Sequence, residues 1–359
     1  ILGLSGGVDS AVAALLLNES GADVHALHMT NWEDDDGYCT AATDLQDARR
    51  VCEHLDIPLH HVNFATEYRK RVFEQFLSEY RAGRTPNPDV LCNREIKFGA
   101  FHRHARRLGG RLIATGHYAR RQSPGGESWL LKAIDEDKDQ TYFLWGVPRD
   151  VLPYLRFPVG ELTKPQVRER ARQLGLATAE KPESQEICFV PDGKYSEFID
   201  RYLDHEDRTL DRPADGEIVT TDGVSVGTHT GIHRYTVGQR RGLGIANEKP
   251  LYVVQIERAK NRIIVGESSE LDSLSFEAKG VNWVAFETPD EPVRANVKVR
   301  YRHDPAPATI VALPDNRARV TFDEPQRAIT PGQATIFYDP ETGEEVVGGG
   351  WIVRDPAGP

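Results

Sequence analysis

The chain has 359 residues, with 44 Lys plus Arg against 55 Asp plus Glu, a net charge of −11 and a negative mean hydropathy. That length exceeds one ordinary core and predicts three domains. The lack of any run of 18 or more apolar residues argues against a membrane-spanning helix and predicts a soluble, cytoplasmic protein. The acidic balance argues against a protein that coats nucleic acid non-specifically, since such affinity comes from neutralising phosphates, and leaves that work to local basic patches.

The first stretch, ILGLSGGVDSAV, reads as a strand, a glycine turn and a helix. It starts on Ile1 rather than Met, which predicts a first strand clipped at its beginning. Ser5, Gly6 and Gly7 lie where backbone N–H groups can turn toward an anion, and the following helix N-terminus adds favourable electrostatics. The loop is shorter than a Walker A loop and has no lysine, so it is not built for γ-phosphoryl transfer. As a plain turn, it would have Asp9 or Ser10 as the helix N-cap.

From Ile1 to about Pro191, apolar runs alternate with helical segments. DVHALHM and LHHVNF read as strands, and TDLQDARRVCEHLD, YRKRVFEQFLSEYRAG and NREIKFGAFHRHARRLG as helices. RLIATGHYAR supplies a further strand that ends at a glycine. The beat predicts an open α/β domain with a parallel sheet and a ligand site beyond the carboxyl ends of its strands.

Within that half, TPNPDVLCNREIKFG places Cys92 immediately before a helix, where a thiolate is stabilised and nucleophilic. Asp89 lies three residues earlier in a proline-shaped turn, as a base, a hydrogen-bond partner of a substrate base, or a turn former. Cys188, in SQEICFVPDG, sits among polar residues before a turn, as a mobile-loop thiol or a buried filler. The four cysteines (Cys39, Cys52, Cys92, Cys188) have no CxxC spacing, which argues against a disulfide framework or zinc ribbon.

After about residue 195, short alternating segments broken by Gly, Pro, Asn and Asp replace the helical pattern. A break near residues 267–275 divides this β half. The expected organisation is a catalytic α/β domain at 1–195, a small central β-rich domain at 196–268, and a C-terminal β-barrel at 269–359.

In the order SGGVDS, NPDVLCNREIKFG, ATGHYAR, KDQTYFLW and SQEICFV, the chain resembles the tRNA-specific 2-thiouridylases, the MnmA (TrmU) family, within the N-type ATP pyrophosphatases. The resemblance spans essentially the whole chain. It implies that ATP, with Mg2+ carried on its phosphates, adenylates the carbon-2 oxygen of the wobble uridine of tRNA. Sulfur then displaces AMP to leave 2-thiouridine.

Carried over residue by residue, the resemblance makes Cys188 the persulfide carrier and Cys92 its partner nucleophile. They end as a disulfide, by direct persulfide attack or through released sulfide. Gly3, Leu4, Ser5, Gly6, Gly7, Val8, Asp9, Ser10, Met29 and Gly116 would hold the nucleotide. Asn87, Pro88 and Asp89 would contact the flipped-out base, and His117, Lys138, Asp139, Gln140, Arg300, Tyr301 and Gln333 the tRNA. The implied partners are tRNAs for Lys, Glu and Gln and a persulfide donor such as a cysteine desulfurase or sulfur-relay protein, with no membrane.

Two basic stretches stand out on this acidic chain. FHRHARRLGGRLIATGHYARR holds Arg103, Arg106, Arg107, Arg111, Arg120 and Arg121 without an acid, and RANVKVRYRH alternates Arg294, Lys298, Arg300 and Arg302 with apolar residues as one strand face would. Glu33, Asp34, Asp35 and Asp36 read as a hydrated loop, Cys39 and Cys52 as structural, and no metal site is expected within the protein. Competing readings are an AMP-forming ligase with a small-molecule acceptor, for which the two placed cysteines have no purpose, and a non-catalytic RNA-binding protein, which would not need them or the loop.

Overall fold

The computed structural model describes residues 1–33, 41–176, 178–181, 198–199, 202 and 215–353. Its first domain is built on a five-stranded parallel sheet in the order β3-β2-β1-β4-β7. The strands are β1 (Leu2–Gly3), β2 (Ala26–Thr30), β3 (Leu59–Asn63), β4 (Ile113–Thr115) and β7 (Leu155–Arg156), while β5 (Ala119–Gln122) and β6 (Trp129–Lys132) form a separate hairpin. Helix α1 (Val8–Glu19) follows β1 directly. Its first two turns, rich in Val and Ala, are buried almost throughout, which packs this helix against the sheet.

Strand order fixes where a ligand can sit. The chain leaves β1 toward β2 and β3 on one side, then returns to place β4 and β7 on the other. The turns after β1 and β4 therefore diverge, and the crevice between them lies at the carboxyl edge of the sheet, where open α/β folds bind ligands.

Helix α2 (Ala41–Leu55) links β2 to β3. Two long helices precede β4: α3 (residues 65–81) and α4 (residues 88–107). Each has a π-helical stretch, Arg69–Phe73 in α3 and Cys92–Phe101 in α4. Phe73, Phe76, Phe98 and Phe101 fill the core between these helices and the sheet, and Phe198, Ile199 and Tyr202 pack onto it. Helix α5 (Lys164–Gln173) closes the domain behind a capping box in which Thr163 and Gln166 satisfy each other's orphan groups.

The middle of the chain forms a four-stranded sheet in the order β10-β11-β8-β9. Its strands are β8 (Gly216–Thr220), β9 (Ser225–His229), β10 (Tyr252–Glu257) and β11 (Arg262–Gly266). Strands β12 (Asp272–Trp283), β13 (Val293–Lys298), β14 (Ala306–Leu313), β15 (Arg317–Arg327), β16 (Ala334–Tyr338) and β17 (Val346–Val353) then close as an antiparallel barrel. Inward residues such as Phe276, Val297, Ile310, Val320 and Ile352 are buried; β13, β14 and β15 alternate with more exposed neighbours, whereas β16 and β17 are buried nearly throughout. The expected single strand face over RANVKVRYRH is corrected here. Strand β13 stops at Lys298, and Arg300 and Arg302 lie in the bend and turn that follow, off the face that carries Arg294.

The barrel is seated on the first domain by buried polar contacts and one tryptophan. Tyr142 Oη donates to Ala334 O at 2.8 Å, and Asn282 Nδ2 donates to Trp145 O at 2.7 Å and Val147 O at 2.8 Å. The Trp145 ring is fully buried over Gly349, where an added Cβ would stand 2.6 Å from Trp145 Cγ. Gly349→Ala is therefore expected to cost about 1–3 kcal/mol through overpacking, read as a lower midpoint in denaturant unfolding. A wild-type midpoint would show that this seat yields.

Candidate active site

The turn after β1 has the geometry its glycines dictate. Gly6 adopts φ +77°, and a Cβ there would collide with the carbonyl oxygen of Asp44, so α2 packs directly against the loop. Gly7, rather than Asp9 or Ser10, is the N-cap of α1. Ser10 is buried and ties the turn together, because its Oγ donates to Gly7 O at 3.1 Å and accepts from Ser5 N at 3.2 Å. Gly116, just past β4, backs the same loop: a Cβ there would lie 2.6 Å from Ser10 N. Gly3 and Met29 meet behind it, with Met29 Cε 3.7 Å from the point where a Gly3 Cβ would stand.

Two lysines absent from the motif arrive from far along the chain. Lys164, buried at the start of α5, donates to Asp9 Oδ1 at 2.7 Å and Oδ2 at 2.9 Å, and Tyr118 Oη adds a bond to Oδ1 at 2.9 Å. Lys181 donates to Gly6 O at 3.1 Å, Asp44 Oδ1 at 2.8 Å and Asp47 Oδ2 at 2.6 Å. Burial acts to lower the Lys181 ammonium, but its bonds to Asp44 and Asp47 outweigh it and raise the pKa. The Thr163 capping box was a local signal for the helix that carries Lys164. Nothing local announces that its ammonium meets Asp9, 155 residues away.

The second element is the turn into α4. Asn87 is the N-cap, its Oδ1 accepting from Val90 N at 3.4 Å, with Pro88 at the first helical position and Asp89 in the first turn. The expected position of Cys92 before a helix is corrected by this start. Cys92 lies one turn inside α4, buried, at the opening of the π-helical stretch. The Asn-Pro-Asp cap begins the helix four residues earlier than the cysteine. Asp89 and Cys92, three residues apart, share a face of α4.

Asp89 has open surface yet lies deep among protein atoms, as on the wall of a cleft. Desolvation raises its carboxyl pKa, opposed by the charge of Lys97. Lys97 Nζ donates to His117 Nε2 at 3.3 Å, which leaves the proton on Nδ1 to be donated to Thr115 Oγ1 at 2.8 Å. Burial, and secondarily Lys97, hold the His117 pKa well below its ordinary value. His117 follows Gly116, so the glycine loop, Gly116, His117, Lys97, Asp89 and Cys92 form one connected wall.

The remaining expected residues fall into three groups. Asp139 is buried and accepts from Thr141 Oγ1 at 2.6 Å and Ala133 N at 3.1 Å, and Gln140 Oε1 accepts from Tyr118 N at 2.8 Å. These two brace the wall from within, with Lys138 beside them at a half-exposed position. Tyr301 packs on Phe143, ring centroids 4.8 Å apart, and Phe143 O accepts from Asn93 Nδ2 at 2.9 Å, so the barrel reaches the residue next to Cys92. Arg300 precedes Tyr301 at the surface. Gln333 Nε2 donates to Thr85 O at 2.9 Å, two residues before Asn87.

Arg103, Arg106, Arg107 and Arg111 lie elsewhere. Helix α4 runs away from the cleft to the amino-terminal edge of the sheet, where the Ile1 amino group donates to Leu112 O at 2.8 Å. Arg120 pairs with Glu344 and Arg294 with Asp323. Cys52 is buried, its thiol pushed up to about 11 by burial and then by Glu53, which leaves it inert at neutral pH. His60 and His61 meet His25 and Thr30 respectively. Glu33 accepts from Asn63 Nδ2 at 2.6 Å. Cys188, Cys39, Asp34, Asp35 and Asp36 lie outside the described residues. Among the described residues, no group of three His, Cys, Asp or Glu side chains stands ready for a metal ion, and no helix is long and apolar enough to cross a membrane.

Comparison with known proteins gives three consecutive family matches. Residues 1–192 match the tRNA methyl transferase HUP domain, 196–267 the tRNA methyl transferase PRC-barrel domain and 273–352 the Aminomethyltransferase beta-barrel domain. The tRNA-specific 2-thiouridylase MnmA of Shigella flexneri serotype 5b is 49% identical over 364 aligned residues, covering 98% of this chain and 96% of the relative. That of Escherichia coli strain SMS-3-5 is 50% identical over the same shares. Among solved structures, the U34-tRNA thiolase NcsA from Methanococcus maripaludis with its [4Fe-4S] cluster aligns at 19% identity and a TM-score of 0.35. That alignment covers 57% of this chain and 65% of that one, a likeness too slight to argue from.

Two outcomes follow from this geometry. Lys164→Met strands the Asp9 carboxylate and is expected to cost roughly 1–3 kcal/mol, less than a fully buried pair because Asp9 is partly solvated; a double-mutant cycle with Asp9→Asn should return a favourable coupling, and additive losses would deny the pair. The neutral His117 sets a pH trend. In the unfolded chain this ring takes a proton near pH ~6.5, so native stability should fall as pH drops below that value toward the depressed native pKa. His117→Gln should flatten that slope in melting experiments, and an unchanged slope would place the acid sensitivity elsewhere.

Proposed function

Because the chain belongs to the family of the tRNA-specific 2-thiouridylases, an ATP-using tRNA-uridine 2-sulfurtransferase family, we propose how its cleft makes 2-thiouridine in tRNA. The polyphosphate of ATP lies against the turn from Gly3 to Ser10, where the Gly6 conformation and the α1 N-terminus direct backbone N–H groups outward. Met29 and Gly116 border the nucleotide, and magnesium arrives on the phosphates rather than in a protein cage.

The target uridine is everted from the anticodon loop onto Asn87, Pro88 and Asp89. Its carbon-2 oxygen attacks the α-phosphorus of ATP and pyrophosphate leaves, turning a poor leaving oxygen into AMP. Sulfur on Cys188, carried as a persulfide, then completes the exchange by one of two balanced routes. The terminal sulfur attacks carbon 2 and expels AMP, and Cys92 cleaves the remaining S–S bond. Alternatively, Cys92 first attacks the persulfide and frees hydrosulfide, which expels AMP. Both routes end in a Cys92–Cys188 disulfide that a two-electron thiol reductant must reset.

Asp89 is the residue placed to orient the base and take its imide proton, since it shares a helix face with Cys92 and its carboxyl is raised toward working pH. The observation that carries this reading is the connected wall from the glycine loop through His117 and Lys97 to Asp89 and Cys92. Wobble position 34 as the site, tRNAs for Lys, Glu and Gln as acceptors, and a cysteine desulfurase or sulfur-relay protein as donor complete the proposal.

The test supplies ATP, a persulfide-loaded donor and unmodified tRNA, and quantifies nucleosides and pyrophosphate. Cys92→Ala and Cys188→Ala should each abolish 2-thiouridine while tRNA-dependent pyrophosphate release survives; normal thiolation by either variant would remove its sulfur-handling role. The acid limb of kcat/KM should lie above the usual carboxylate range, because Asp89 must be ionised. Lys97→Met removes the cation that lowers that pKa, so the limb should move to still higher pH. A limb unmoved by Lys97→Met and retained in Asp89→Asn would take the base role from Asp89.

A further inference from the structure

Residues 223–247 contain no Asp or Glu in a chain with 55 of them, yet they hold Arg234, Arg240 and Arg241. All three arginines are exposed, and Arg240 and Arg241 meet no carboxylate among the described residues. The loop that presents them is built rather than slack. Gln239 latches it at both ends, its Oε1 accepting from Thr236 N at 3.0 Å and its Nε2 donating to Arg241 O at 3.0 Å. Gly238 N donates to Val253 O at 2.8 Å and Val253 N to Gln239 O at 2.9 Å. Gly238, Gly242 and Gly244 take φ values of +89°, +78° and +67°, which let the chain fold this tightly.

The foot of this loop stands beside the proposed base-binding turn. Thr85 Oγ1 donates to Thr236 Oγ1 at 3.1 Å, and Thr85 is two residues from Asn87. Arg241 lies five residue steps from Thr236, a span of at most ~18 Å when extended and shorter in a latched loop. Two guanidinium groups with no carboxylate partner among the described residues are thus held within a few nucleotides of the turn proposed to receive the everted uridine. Guanidinium pairs suit phosphate oxygens by charge and by their planar fork.

We propose that residues 236–244 form a phosphate clamp for the substrate tRNA, with Arg240 and Arg241 gripping the backbone beside the everted nucleotide. This rests on the tRNA reading above. The test measures tRNA affinity of the full chain across a salt series for wild type, Arg240→Ala, Arg241→Ala, the double alanine variant and the double lysine variant. Each alanine should raise Kd roughly fivefold and reduce the slope of log Kd on log salt by about 1. KM for tRNA should rise at unchanged kcat, and the lysine variant should keep the slope.

A double alanine variant with wild-type Kd and slope would overturn the clamp. So would unchanged tRNA binding with turnover lost only when a protein persulfide supplies sulfur and kept with inorganic sulfide, because the loop would then dock the donor. Wild-type chain that binds tRNA without thiolating it would sink the underlying reading instead, and leave the salt slopes to decide the clamp alone.

Discussion

Thr85 is held from two other domains at once. Its N–H donates to Pro331 O at 3.2 Å and its carbonyl accepts from Gln333, both in the barrel, while its hydroxyl donates to Thr236 of the central domain. Gly332 lies so close that a Cβ would stand 2.9 Å from Thr85 O and from Arg84 Cβ, and Arg84 is itself forked onto Glu79. The Asn-Pro-Asp cap that starts α4 hangs from this point. The turn proposed to bind the base is therefore held by protein contacts alone, so that ordering it would not cost affinity on binding. Both later domains thus bear on the segment that starts α4.

The charges around the nucleotide loop follow the same logic. Asp9, Asp44 and Asp47 would repel a polyphosphate if left bare, and Lys164 and Lys181, distant in sequence, compensate them by direct ion pairs. The residues of the loop, Gly3 to Ser10, carry no lysine or arginine of their own. In the proposed function its backbone amides and the α1 N-terminus would meet the anion, an arrangement suited to release of pyrophosphate rather than transfer of a terminal phosphoryl group.

The loop, the proline-rich turn and the barrel are legible in the sequence, because each depends on contiguous residues: paired glycines after a strand, Pro86 and Pro88 around Asp89, and short apolar segments broken by turn formers. Where contacts join distant segments, it was silent. Lys164 and Lys181 look like ordinary surface lysines until the fold closes, and Asp139 and Gln140 look like surface polar residues although they hold Ala133, Thr141 and Tyr118 from inside. Cys92 lies one helical turn further into α4 than its local sequence suggests, because the helix begins at the Asn87 cap. The arginines of residues 101–111 were prominent by composition, but the direction of α4 carries them away from the cleft.

One complex tests whether a single opening unites nucleotide, everted uridine and thiol. The structure to determine is this chain with unmodified tRNA and a non-hydrolysable ATP analogue. In that complex the target uridine should stand out of the anticodon stack against Asn87–Asp89, with its carbon-2 oxygen about 3–3.5 Å from the α-phosphorus and Cys92 on the same wall. A uridine still stacked in its loop, or a nucleotide bound away from the Gly3–Ser10 turn, would contradict this arrangement.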